Sequence, residues 1–232
     1  DQDRWYIVGR WLAMLPQEVI QQRPGLLLIK LWGLYNSYRM LEIPALIEQV
    51  EALLVDASVD ESLLGELNFY RGFMLFLFHG DAKGALVQFK RARRRLSGAS
   101  TLWIVCEIEI LDAVAHQMAG KGVQALRSLE HRTLAMGSGN GLLLSRLVGA
   151  QVFIKLLSGR LMATIPTAQH FASVSRDNGL LNTEGSGHYL GANAQLQSWH
   201  LDEALAGFRH AAAKRDILHQ KIAIDTQVGL VL

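Results

Sequence analysis

The chain has 232 residues, half of them hydrophobic, and its 23 basic and 21 acidic side chains leave a formal charge of only +2. This content gives ample material for a packed core and excludes a disordered chain, while so small a net charge does not by itself imply a nucleic-acid partner. The lone Cys106 excludes an internal disulfide and fits a reducing compartment, and the longest purely apolar run, Phe73 to Phe78, is far too short to span a membrane.

Taken in order, the pattern predicts helices throughout. Arg4 to Met14 carries Trp5, Val8 and Leu12 on one side. Leu15-Pro16 breaks that helix, Gln17 to Gln22 makes a short second one, and Pro24 starts a third that runs to about Tyr38. Glu42 to Val55 is its partner. A long helix follows from Asp60 or Ser62 to Phe78, with Phe69, Gly72, Phe73 and Phe76 on one stripe. Gly80 ends it and Asp81 caps the next helix, where Ala85, Phe89 and Ala92 repeat the spacing. Small Gly72 and Ala85 stand where the two helices must approach closely. Thr101 to Ala119, capped by Ser100 or Thr101, pairs with Lys121 to Met136. Gly137 to Gly141 is a turn; Leu142 to Ser158 then pairs with Arg160 to Arg176. After the stop Asp177-Asn178-Gly179, Thr183 to Ser198 pairs with Leu201 to Lys214, and Ile217 to Leu232 reads as the first helix of another unit. No segment alternates as a strand does. The chain opens at Asp1 without methionine, shows no signal peptide and stops inside an apparent helix, so it reads as a piece of a larger protein.

The helical pairs recur. With Ala85 as the anchor near the start of a second helix, Ala125 lies 40 residues on, Ala45 lies 40 back, and Ala204 lies 79 beyond Ala125, which leaves one unit anchored at Thr164. Five residues before the later anchors stand Gly80, Gly120, Gly159 and Trp199. A hairpin of two helices cannot bury its apolar faces alone and needs neighbours. The expectation is an all-α, tetratricopeptide-like α-solenoid of about five two-helix repeats with a period of about 40 residues. It would form a single domain over residues 1–232, in which 1–24 lead in and 25–232 repeat.

At the amino end, Trp11-Leu12, Leu15-Pro16, Arg23-Pro24 and Leu26, followed by an apolar helix, resemble the MalT-like, LuxR-class family of large ATP-binding transcription regulators. The specific part of that resemblance spans about the first 30 residues, and the architecture covers the rest. It implies the effector-sensing middle segment of a cytoplasmic transcription activator. In that family an ATPase precedes the repeats and a helix-turn-helix domain follows them. ATP and DNA would accordingly be bound by domains outside this chain, which has no GxxxxGK[ST] loop and no recognisable DNA-reading helix pair. The implied partners are a small-molecule inducer and the other domains of the same protein, with no membrane.

The residues offer little catalytic chemistry. Gly137 to Gly141 lacks the preceding strand of a phosphate cradle. The basic run Lys90-Arg91-Ala92-Arg93-Arg94-Arg95 could contact phosphates, with a steep dependence on salt, but it keeps its apolar neighbours at helical spacing, so its charges read rather as a solvated outer face or a contact with another domain. The eight histidines show no metal-ligand spacing; His116 and His188 fall in first helices, where packing or exposure is the ordinary role. Glu107 and Glu109, two apart, face different directions on a helix. No nucleophile–base or paired-carboxylate set is defensible, so an enzyme is not expected. No cofactor is expected within the chain.

What remains is the groove along the first helices of a repeat stack. Counting from the anchors, it would be lined by Tyr70, Met74, Glu107, Arg146, Phe153, Tyr189 and Asn193, with Lys30, Leu34 and Val114 beside them. Aromatic walls with a few polar groups are what a small ligand needs for burial and orientation. The function expected is therefore effector sensing by a transcription activator; the alternative is a protein-interaction scaffold holding a peptide in the same groove.

Overall fold

The computed structural model of the chain describes residues 5–55, 60–96, 102–136 and 140–231. Those residues form thirteen α-helices, one short 3-10 turn and no strand. In chain order they are α1 (Trp5–Ala13), α2 (Gln17–Gln21), α3 (Pro24–Asn36), the 3-10 turn Met40–Glu42, α4 (Ile43–Leu54), α5 (Glu61–His79), α6 (Ala82–Arg95) and α7 (Leu102–Met118). There follow α8 (Gly122–Met136), α9 (Gly141–Leu157), α10 (Leu161–Asp177), α11 (Leu181–Gln197), α12 (Leu201–Ala212) and α13 (Gln220–Gly229). Consecutive helices pack on one another, an all-α helical-repeat fold of the α-solenoid class. The expected cap of α7 at Ser100 or Thr101, the turn residues 137–139 and the Trp5 side chain lie outside what is described. The chain divides into two compact units, Asp1–Ile108 and Glu109–Leu232, with the boundary inside α7.

In the first unit, Pro24 sits in the first turn of α3, where its missing N–H would have had no helical partner anyway. The Asp60 carboxylate accepts from the Ser62 N–H at the start of α5, and Asp81 accepts from the Gly84 N–H at the start of α6, the cap expected from the sequence. Between α5 and α6, Gly72 stands directly over the Phe89 ring, which is fully buried. Burial of a ring of that size stabilises the fold by about 2–3 kcal/mol. Tyr35 sets its ring edge-on to Phe73 at 5.0 Å and to Phe69 at 6.4 Å, tying α3 to α5.

The second unit repeats the device. Gly149 of α9 faces the Phe171 ring of α10, and Gly229 of α13 faces the Phe208 ring of α12. Its core runs in successive clusters. Ala113, Leu126, Leu129, Leu147, Ala150 and Ile154 form the first. Val148, Val152, Ala168, Phe171 and Leu190 form the second, and Ala192, Ala204 and Phe208 the third. Each helix shares apolar side chains with the next, as repeat folds require.

The corners carry the period. Tyr38, Gly80, Gly120, Gly159 and Trp199 have φ values of 57°, 61°, 76°, 70° and 62°, all left-handed, at steps of 42, 40, 39 and 40 residues. After Tyr38, Gly120, Gly159 and Trp199, the next N–H donates to the carbonyl five residues back: Arg39 to Leu34, Lys121 to His116, Arg160 to Lys155 and His200 to Gln195, at 2.8–2.9 Å. This closing bond satisfies carbonyls that the helix end leaves open. Gly179, between α10 and α11, closes in the same way through Leu180 and Ser175. At Gly80 the bond reaches one residue further, from Asp81 to Leu75.

The anchors need one correction. Ala45 is exposed; the residue five after the Tyr38 corner is Ile43, which is fully buried. The 3-10 turn Met40–Glu42 shifts the phase of α4, and a count of 40 from Ala85 could not register it. Thr164, the irregular anchor, is fully buried at its expected place, and its hydroxyl donates to the Arg160 carbonyl at 2.9 Å. A buried hydroxyl satisfied by its own helix costs little where other units hold alanine.

Candidate functional site

The residues expected to line a groove take up different environments. Tyr70 is corrected from groove to core: it is fully buried, its hydroxyl donates to the Leu28 carbonyl at 3.3 Å, and burial pushes its pKa well above the ordinary value. The reason lies in α5, which is covered on more than one side. Leu67, Asn68, Phe69, Tyr70, Gly72 and Phe73 are all buried, which leaves a narrower open strip than a surface helix has. Glu107 is likewise buried, within 3.4 Å of the Tyr35 hydroxyl, which donates to it, and Leu34 is buried too. Met74 is half-buried one turn after Tyr70.

In the second unit, Arg146, Phe153, Tyr189 and Asn193 are all half-buried. Phe153 and Tyr189 come together against the Val148–Val152–Phe171 cluster. The Tyr189 hydroxyl donates to Asp225 of α13 at 2.8 Å; burial, then that carboxylate, raises its pKa. Asn193 donates to the Tyr189 carbonyl one turn back. These contacts knit α11 to its neighbours. Glu109 points away from the Glu107 direction, as two-residue spacing on a helix demands, and Arg132 of α8 grips it with two bonds of 2.6 and 2.9 Å.

The more open concavity in this unit lies on α11 between α10 and α12, with a volume of about 330 Å³. Gly187 and Gly191 of α11, Gly207 of α12 and Ala168 and Ala172 of α10 make its floor. A Cβ on Gly187 would meet the Ala172 backbone at 2.9 Å, and one on Gly207 would meet Ala192 at 2.9 Å, so the helices approach too closely for larger side chains. His188, His210, Gln169, Gln195, Arg176 and Glu203 stand around that floor.

The rim has a defined electrostatic order. The imidazoles of His188 and His210 stack at 5.1 Å with planes 23° apart. Burial pushes the His188 pKa below its usual value, the charge of His210 pushes the same way, and Glu184 opposes both. His210 Nδ1 lies 2.8 Å from the Ala206 carbonyl, so in the neutral ring that nitrogen carries the proton and Nε2 is left as an acceptor. Glu184, one turn before His188 and buried, is held by Arg176 at 3.0 Å and Lys214 at 2.8 Å. Burial alone would raise its pKa; the bonds from Lys214 and Arg176 outweigh that and lower it. Among the described residues Gln169, Gln195 and Glu203 make no hydrogen bond to the protein, so their polar groups are available to a ligand.

A second concavity, about 260 Å³ between α7 and α8, is lined by Glu109, Asp112, His116 and Arg132. There the charges answer one another: Arg132 grips Glu109, and Asp112 lies 3.2 Å from His116 and raises its pKa. Among the described residues no group of three or more His, Cys, Asp or Glu side chains could hold a metal ion.

Of the groove residues, sequence reasoning had weighed only His188. The glycines at 187 and 191, one helical turn apart, mark a close approach in the sequence. The pairing of His188 with His210 and of Glu184 with Arg176 and Lys214 leaves no sequence mark, because the partners lie on different helices. The chain matches no protein-family model and no curated protein.

Proposed function

We propose that this chain is an effector-sensing helical-repeat domain of a transcription activator, binding a small organic inducer and passing its presence to ATPase and DNA-binding domains of the same protein. The amino-end resemblance supplies the regulator class and, with it, a cytoplasmic setting. The groove on α11 supports the sensing role: about 330 Å³ falls within the range of small-molecule pockets, and an apolar floor under imidazole and amide groups suits burial with orientation. A ligand that presents an apolar face to Gly187, Gly191 and Ala168 and hydrogen-bonding groups to Gln169, Gln195 and His210 would fit it. The helices on its two sides belong to different hairpins. A ligand that binds better when they close together would shift the balance between two arrangements by its difference in affinity.

The test is a metabolite panel run by thermal shift on this chain and on the intact protein that contains it, with calorimetry of each hit. A true inducer raises Tm with concentration, and saturation at a hundredfold Kd adds about 2.7 kcal/mol. The effect should vanish in Gln195→Ala and His210→Ala. An empty panel on the intact protein, or capture of a stoichiometric peptide in that groove, would end the sensing reading.

A further inference from the structure

We infer that the outward face of α6 is a contact surface for the phosphodiester backbone of a nucleic acid, bound without regard to base sequence. The observations lie in the first unit and do not depend on the groove or the regulator reading. Six of the fourteen residues of α6, Lys83, Lys90, Arg91, Arg93, Arg94 and Arg95, are cationic, and none is acidic. The charge of +2 for the whole chain hides this concentration. Ala85, Phe89 and Ala92 are buried against α5, which fixes the rotation of the helix. At 3.6 residues per turn, Lys83, Lys90 and Arg94 then fall on one line along the opposite, exposed side, with Arg91 beside it. The line is about 16 Å long at 1.5 Å per residue, a length over which each strand of a duplex carries about five phosphates counted along the duplex axis.

The cations on that line have no side-chain partner among the described residues. Arg93 and Arg95 fall off that line and are engaged within the protein, Arg95 with Asn68 and Glu61. Among the described residues, the side chains of Lys83, Lys90, Arg91 and Arg94 make no ion pair or hydrogen bond. The helix dipole favours cations in the last turn, which accounts locally for Arg93 to Arg95. It disfavours Lys83 in the first turn, so a purely local account fails at the residue that extends the line.

The chemistry of the face selects the partner. A protein interface has an apolar centre and is poor in lysine, and here Val87 is the only exposed large apolar side chain. A membrane-surface helix needs a free apolar face, and that of α6 is already spent on α5. A uniformly charged backbone needs neither: Lys and Arg suffice, and arginine forks match phosphate oxygens in pairs.

The experiment titrates the full chain with labelled 24-mer duplex DNAs of two unrelated sequences and with a single-stranded RNA, by anisotropy at 50, 100 and 200 mM salt. Four phosphate contacts give a slope of log affinity on log salt of about −3.6 for a duplex, a loss of about 150-fold across that range, equal for both sequences. The triple variant K83Q/K90Q/R94Q, whose substituted side chains are exposed and unbonded, should keep its Tm and lose only about threefold to fourfold over the same range. The RNA arm decides which nucleic acid is preferred. Absence of binding to every probe at 50 mM salt would overturn the assignment. So would a slope unchanged in the triple variant, an equal loss in Arg209→Gln on α12, or retention by phosphatidylserine vesicles without binding to either nucleic acid.

Discussion

A Cβ placed on Gly72 would lie 2.7 Å from Cε1 of Phe89, closer than real carbons come, so α5 and α6 meet at this distance only because residue 72 has no side chain. The ring cannot retreat, since Phe89 is fully buried. Gly72→Ala should therefore cost about 1–3 kcal/mol in urea unfolding, the usual penalty of overpacking. Gly33 is the control. It also lies inside a helix, but its Cβ would meet nothing within 4 Å. Gly33→Ala should stabilise by about 0.5–1 kcal/mol through helix propensity and a stiffer unfolded chain.

Trp199 holds a left-handed corner where three other units place glycine, and it is 84% exposed. An L side chain in that conformation costs about 1–2 kcal/mol, of which the unfolded-state entropy of glycine returns about 0.5–1. Trp199→Gly should thus be neutral to mildly stabilising despite the loss of a large aromatic. Gly159→Ala, at φ 70°, should destabilise by about 1 kcal/mol. Equal losses in both variants would show that the Trp199 ring is engaged in packing.

Glu66 gives stability a downward slope with pH. Burial first, then Asp60, raises its pKa to about 7. The folded state then binds the proton more tightly than the unfolded one. Its contribution is fully present below about pH 4.5 and is lost as pH rises through about 7. Glu66→Gln should remove that loss, and at pH 8 it should be more stable than the parent by about 1–3 kcal/mol. Chemical denaturation at pH 5 and pH 8 compares the two.

Glu184 has the opposite sign. Lys214 and Arg176 overcome its burial and lower its pKa, so its contribution is present above about pH 4.5 and is lost as pH falls through the lowered value. His188 adds to the loss on the acid side: with its pKa lowered by burial, the unfolded chain takes the proton first, and stability falls as pH drops from about 6.5. Glu184→Gln at pH 7 should cost about 1–3 kcal/mol, less than the about 3–5 kcal/mol of a fully buried broken pair, because Arg176 and Lys214 can turn to water. The variant should lose less further stability than the parent between pH 5 and pH 3.

The sequence by itself determined the helices, their pairing and their period. Glycine at 80, 120 and 159 and the cap at Asp81 are local requirements of a chain that must reverse, and such requirements are written where they act. Trp199 was found by counting alone, since no propensity places tryptophan at a left-handed corner. The same counting misplaced Ala45, because a single 3-10 turn changed the phase. Only the tertiary structure decided which faces stay open. Tyr70 went inside because α3 covers that side of α5, and the groove on α11 exists because small residues of three helices meet there. The physical reason is one of range. Helix and turn formation depend on neighbours within about four residues along the chain, whereas exposure depends on side chains brought up by other helices, and no window of sequence contains both.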